Sequence, residues 1–251
     1  MGDKLVSEPI LEVVDVKKHF GAVEALKGVS LSLMPGECVA LAGDNGAGKT
    51  TLIKVISGVH AATAGNVKLR GKPINFKTPQ HAREAGIETI YQDLALADNL
   101  SIGENIFLGR EPKTKKWGIL PVLDRERMAE VALDTMKTLD FHTDRFDSPV
   151  AGFSGGQRQT VAIGRAVYWD ASVLIMDEPT AALGVPEQKK VLELIQNLKA
   201  AGHAIIFISH NLQDIFEVSD RIVVMRRGKI AGERLIKDTD HSEVVQLMIA
   251  G

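Results

Sequence analysis

Residues 43–50 read Gly43-Asp44-Asn45-Gly46-Ala47-Gly48-Lys49-Thr50, a G-x-x-x-x-G-K-[ST] run with every fixed position filled. An apolar stretch, Val39-Ala40-Leu41-Ala42, precedes it, and helix-like Lys49 to Ser57 follows. This run constrains the fold more than any other feature. Glycines let backbone N–H groups converge on anionic oxygens, and the helix N-terminus adds the positive end of its dipole. Lys49 supplies a point charge for β- and γ-phosphates, and the Thr50 hydroxyl is suited to ligating Mg²⁺. Between a strand and a helix, the run reads as a nucleoside triphosphate site rather than a chance glycine turn.

The rest of the pattern agrees with an α/β body. Val173-Leu174-Ile175-Met176 and Ala204 to Ile208 are further buried-strand candidates. Between them, Val191, Leu194, Ile195 and Leu198 recur at helical spacing from Pro186 to Ala201. Pro186 suits that helix's first turn and Gly202 its C-terminal cap, which makes a βαβ unit. The first 35 residues differ: Leu11, Val13 and Val29 to Leu33 alternate with period two, as half-buried antiparallel strands do. Arg70-Gly71-Lys72 and Arg227-Gly228-Lys229 read as hairpin turns with shared turn chemistry. From Ser101 to Ala151 the strand signals fade, and helices are expected around Ile102 to Phe107 and Arg125 to Leu139. No linker rich in Gly and Ser separates this region. The expectation is one domain spanning 1–251, with a helical subdomain over roughly 93–157 inserted in it.

Composition narrows the function classes. Lys plus Arg is 30 and Asp plus Glu is 32, a formal charge of −2, which argues against whole-surface attraction to nucleic acid or anionic lipid. The single cysteine, Cys38, precludes an internal disulfide, and no Cys/His cluster has zinc-ligand spacing. Met1 to Ile10 lacks the apolar core of a signal peptide. No apolar run approaches the roughly 20 residues of a membrane span. Secreted, membrane-spanning and disulfide-scaffold classes are not expected.

Two further motifs carry chemistry. The strand Val173 to Met176 ends in Asp177-Glu178. Two carboxylates inside a sheet are costly, so they belong at its C-terminal edge, where open α/β sheets bind ligands. Asp177 is then the Mg²⁺-shell residue and Glu178 the base for the attacking water. Phe153-Ser154-Gly155-Gly156-Gln157 precedes a helix-like stretch and forms a second exposed helix N-terminus, a second anion site. Two γ-phosphate cradles in one chain suit a head-to-tail pair, each nucleotide being gripped by one chain's loop and the other's Ser-Gly-Gly.

At these residues the sequence closely resembles the ATPase subunits of ATP-binding cassette (ABC) transporters, over nearly its whole length. Phe153 to Gln157 resembles the family's L-S-G-G-Q with Phe in place of Leu, and Asp177-Glu178-Pro179-Thr180 its D-E-P-T. Gln92 in Tyr91-Gln92-Asp93 falls at the Q-loop position and His210 in Ile208-Ser209-His210-Asn211 at the switch histidine. Phe20 stands where the family stacks an aromatic on adenine. The resemblance implies a P-loop NTPase core of RecA-like type with an antiparallel β subdomain and a helical signature-motif subdomain. It implies ATP and Mg²⁺ as ligands, with Phe20, residues 43–50, Thr51, Ser154, Gly155, Gly156 and Gln157 around the nucleotide. Lys49, Glu178, Gln92 and His210 are the implied catalytic set, and Thr50, Gln92 and Asp177 the metal set. One departure stands out: Ala181-Ala182-Leu183-Gly184 replaces the family's S-A-L-D, so an aspartate that bridges monomers in many relatives is Gly184 here.

Ile90 to Leu94, Leu100 to Glu111 and Thr180 to Val185 resemble the monosaccharide-importer branch of ribose, xylose and fructose type. That implies a homodimer, separate transmembrane permease subunits, an indirect periplasmic or extracellular sugar-binding protein, and a peripheral site on the cytoplasmic face of the cell membrane. No nucleic acid is expected. The competing readings are a soluble ABC ATPase of DNA repair or translation, and a regulatory module that holds ATP without hydrolysing it. The interval from Gly43 to Gly156 is too short for the long coiled coils of repair relatives, and the single motif set speaks against fused translation factors. Retention of Lys49, Gln92, Glu178 and His210 opposes the regulatory reading. Lys113-Thr114-Lys115-Lys116 reads as a solvated loop, with lipid head groups or a partner as the alternative; Trp169 and Met176 read as packing residues and Cys38 as inert.

Overall fold

The computed structural model describes residues 8–116 and 120–249. Among them contacts divide the chain into two compact units, one of Met1–Thr89, Ala171–Glu178 and Ile195–Gly251, the other of Ile90–Asp170 and Pro179–Leu194.

The first unit holds two sheets. Strands β1 (Leu11–Phe20) and β2 (Val23–Leu33) pair antiparallel, as their alternation predicts. With β4 (Ala64–Leu69) and β5 (Lys72–Ile74) they make a four-stranded sheet in the order β2-β1-β4-β5. Strand β3 (Cys38–Ala42) is buried at every residue, as a strand covered on both sides must be. It runs parallel to β10 (Ala204–Ile208) and β11 (Arg221–Arg226), and β10 runs parallel to β9 (Val173–Asp177). With β6 (Ile87–Ile90) and the antiparallel β12 (Lys229–Leu235) the order is β12-β11-β3-β10-β9-β6. Both Arg-Gly-Lys turns are two-residue hairpins with positive φ at Arg70 (50°), Gly71 (73°), Arg227 (47°) and Gly228 (81°), the geometry that matches strand twist. Helices α1 (Lys49–Ile56), α2 (Pro79–Glu84), α7 (Leu212–Val218) and α8 (His241–Ile249) complete this unit. Its core joins Leu26, Leu33, Leu41, Leu52, Ile56, Ile175 and Ile206. The buried Arg221 guanidinium is tolerated because it is fully engaged, by Glu37 (2.8 and 3.1 Å), Glu233 (2.7 Å) and the Ser32 carbonyl (2.6 Å). Cys38 Sγ is buried, with its thiol pushed up to about 12 by that burial; Met176 is likewise inside.

The second unit is built on α3 (Ile102–Phe107), α4 (Arg125–Thr138) and α5 (Gly155–Tyr168), which close over Ile106, Phe107, Met128, Met136, Phe141, Phe153 and Val161. Buried Asn105 fixes the preceding loop by accepting from Ala97 N (2.8 Å) and donating to the carbonyls of Ala97 (3.1 Å), Leu100 (3.2 Å) and Ser101 (3.0 Å). Trp169 packs edge-on to Phe107 and donates Nε1–H to the Ile106 carbonyl (3.0 Å). Helix α6 (Val185–Ala200) spans both units and carries the β9–α6–β10 crossover expected from its periodicity.

One expectation is corrected here. Residues 113–116 form a strand, β7 (Lys113–Lys116), paired antiparallel with β8 (Leu120–Leu123), where a solvated loop and fading strand signals were expected. Pro112 and Pro121 break helical hydrogen bonding on either side, and a two-stranded ribbon uses the remaining backbone donors. Its base is closed by Asp124 N donating to the Pro112 carbonyl at 2.9 Å.

Candidate nucleotide site

Parallel register builds one edge of the first unit. Ala40 lies opposite Phe207, and Ile208 opposite Asp177, so the C-terminal ends of β3, β9 and β10 emerge together. From β3 the chain enters the glycine run at Gly43, whose φ of 141° no side chain adopts easily. A Cβ there would stand 2.2 Å from the Met225 carbonyl oxygen on β11. Gly43→Ala is therefore expected to destabilise the fold by about 2 kcal/mol, lowering the melting midpoint by roughly 4–8 °C. An unchanged thermal melt would contradict this account of the loop.

Helix α1 starts at Gly48 (φ 106°), and no side chain caps its N-terminus. The Lys49 ammonium donates to the carbonyls of Gly43 and Asp44, curling back over the loop that precedes it. Half burial lowers its pKa, opposed by the fields of Glu178, Asp177 and Asp44. Asp177 ends β9, and burial raises its pKa against the pull of Lys49 and His210. Glu178 N continues the ladder to the Ile208 carbonyl (2.9 Å), and the residue then takes the left-handed conformation (φ 55°). Its side chain is only 9% exposed and meets His210 Nδ1 at 2.7 Å, whereas His210 is 75% exposed. Burial raises the Glu178 pKa, and His210 works against that shift. The edge thus brings Lys49, Asp177, Glu178 and His210 into one electrostatic network beside an uncapped helix N-terminus. Thr50 sits in the first turn of α1, exposed, and Thr51 beside it is half-buried. Phe20, at the end of β1, is 44% exposed, its ring edge-on to His60 at 5.2 Å.

Sequence reasoning missed part of this edge. Asn45, Gly46, Arg226 and Arg227 line a cleft of about 310 Å³ beside the loop. In the sequence Arg227 reads only as turn chemistry and Arg226 carries no signal, and their approach to residues some 180 positions away is a product of β3–β11 pairing.

Gln92 and residues 154–157 belong to the second unit. Gln92 is exposed, two residues beyond β6. Ser154 caps α5 in a reciprocal box: its hydroxyl accepts from Gln157 N (3.3 Å), and Gln157 Oε1 accepts from Ser154 N (3.0 Å). Gly155 and Gly156 open the helix behind that cap. A Cβ at Gly184 would lie 2.8 Å from Glu187 Oε2, the free end of a side chain that can turn aside, and the residue is exposed, so nothing in the structure explains a glycine in place of aspartate there. A Cβ at Gly156 would lie 2.9 Å from Glu187 Cβ, so that close approach does require glycine.

The ABC transporter family model matches residues 26–181. This chain belongs to the ABC transporter family. The cassette is 48% identical to the xylose/arabinose import ATP-binding protein of Sulfolobus acidocaldarius over 95% of this chain and 93% of that protein. It is 45% identical to the fructose import ATP-binding protein of Rhizobium meliloti, over 97% and 95% respectively. Against a ribose import ATP-binding protein of Streptomyces coelicolor the identity is 43% over 97% of this chain but 47% of that one. Among solved structures, a nucleotide-free ATP-binding cassette from an ABC transporter superposes with a TM-score of 0.81 at 29% identity, covering 97% of this chain and all of that one. The ADP conformation of an ATP-binding cassette of an ABC transporter gives 0.81 at 30% identity, with coverage of 97% and 100%. Membership makes the cassette an ATP-binding α/β protein of P-loop type. Among the described residues no helix is long and apolar enough to cross a membrane.

Proposed function

We propose that the cassette is the ATP-hydrolysing subunit of a monosaccharide importer, working as a pair of identical chains at the cytoplasmic face of the membrane beneath separate permease subunits. The observation that carries the hydrolytic part is the Glu178–His210 contact at 2.7 Å on the edge that also holds Lys49 and Asp177. The names of the xylose/arabinose, fructose and ribose import relatives support the sugar, which a binding protein would deliver.

Lys49 and the backbone N–H groups of residues 43–50 bind the β- and γ-phosphates, and Phe20 offers its ring to the adenine. Glu178 accepts a proton from the attacking water. His210 orients that carboxylate and donates toward the γ-phosphate as charge develops. The donor set suits Mg²⁺: Thr50 and Asp177 offer hard oxygens, and no group of three or more His, Cys, Asp or Glu among the described residues makes a protein cage. Thr50 and Asp177 would hold such an ion, which would supply charge neutralisation at the phosphates. A contact of Gln92 with the ion or the water rests on the resemblance alone. Ser154, Gly155, Gly156 and Gln157 of a second chain close the site, their helix N-terminus facing the γ-phosphate.

The test is steady-state Mg-ATPase activity of the purified chain against its concentration. Turnover per chain is expected to rise as chains pair. Turnover independent of concentration would mean a site complete within one chain and would overturn the paired reading.

A further inference from the structure

The β7–β8 ribbon takes no part in the nucleotide chemistry. From Lys113 to Leu123 it holds three lysines and no acidic residue, in a chain of formal charge −2. Its register sets Lys113 opposite Leu123 and Lys115 opposite Pro121. Residues directly opposite in an antiparallel pair share a face, so one face presents two ammonium groups beside two apolar side chains. On that face Lys113, Lys115 and Pro121 are exposed and Leu123 is 44% exposed, while Leu120 falls at a register position of the other face. Neither Lys113 nor Lys115 forms a salt bridge among the described residues. The flanking acids are turned onto backbone instead: Glu111 accepts from Gly109 N (2.9 Å) and Asp124 from Arg127 N (3.1 Å).

A solvated charge run accounts for the lysines but not for Pro121 and Leu123 held in water beside them. An apolar protein groove accounts for those two side chains but leaves the ammonium groups without counter-charge. A surface of anionic head groups over an acyl layer meets both, since lysine stems lie along apolar surface while their ammonium groups reach phosphate. We propose that the β7–β8 ribbon is a contact for an anionic lipid surface, docking Lys113 and Lys115 on head-group phosphates and Pro121 and Leu123, on the same face, at the boundary beneath. The inference is independent of the sugar and of hydrolysis.

The test is sedimentation of the purified chain with phosphatidylcholine vesicles, with and without phosphatidylglycerol. Binding is expected only to the phosphatidylglycerol vesicles, and to fall as salt rises from about 0.1 M to about 1 M and the screening length shortens from about 10 Å to about 3 Å. Each lysine at such a surface contributes about five-fold, so Lys113→Gln with Lys115→Gln is expected to weaken binding about 25-fold. Pro121→Ser with Leu123→Ser is expected to weaken it at low and high salt alike. ATP turnover of both variants stays at the parent value, which also reports that they fold. Equal binding by parent and variants, binding to neutral vesicles alone, or no binding overturns the proposal. So does loss of permease association in the lysine variant with vesicle binding intact, which would assign the ribbon to a protein partner.

Discussion

Glu178→Gln is expected to lower ATP turnover about 10²–10⁴-fold, the usual contribution of a positioned general base, while nucleotide binding is retained. The substitution keeps the shape of the side chain and an oxygen able to accept from His210 Nδ1, which the glutamate meets at 2.7 Å. It removes the capacity to take a proton, together with the negative charge that acts on Lys49 and His210. The pH profile gives an independent readout. Burial raises the Glu178 pKa above the ordinary carboxylate value, with His210 opposing. The base works deprotonated, so the parent's turnover falls on acidification, beginning at a higher pH than an exposed glutamate would give. The Gln variant should lack that limb. A variant keeping more than about a tenth of parental turnover would place the base elsewhere, given the factor expected of such a group.

Lys49→Met is expected to weaken ATP binding by about 10²-fold, because removing one partner of a desolvated charge pair costs about 2–5 kcal/mol and each 1.4 kcal/mol is tenfold. The ammonium is half-buried and donates to the Gly43 and Asp44 carbonyls, so it is held where a phosphate would meet it. Lys49→Arg should not restore affinity fully, since a planar guanidinium does not replace a compact ammonium at a site shaped by backbone. Titration calorimetry with ATP separates this loss from the hydrolytic defect of Glu178→Gln. Parental affinity in Lys49→Met would remove the loop from the phosphate site.

Local chemistry makes much of this protein legible in its sequence. The glycine run announces a tight turn into a helix within eight residues, and the alternation of Val29 to Leu33 and the apolar Ala204 to Ile208 announce strands by their pattern, although the ladders themselves run to β1 and to β3 and β9. The acidic pair was assigned to a sheet edge because burial of two carboxylates is costly, and β9 does end at Asp177. The β7–β8 ribbon was not legible, because strand pairing there depends on two prolines excluding helix rather than on any apolar period.

What the sequence could not decide lies in long-range pairing. Register between β9 and β10 brings Glu178 within reach of His210, and β3–β11 pairing puts Met225 over Gly43 and two arginines beside the loop. Gly156 is where the root of Glu187 packs closest, 2.9 Å from where a Cβ on that glycine would stand, a contact that neighbours in sequence do not announce. The sequence by itself determined which residues are candidates to receive phosphate, because that chemistry is written in adjacent residues. Only the tertiary structure decided which carboxylate meets which histidine and which glycine lies under which strand, because those contacts depend on elements packed from distant parts of the chain.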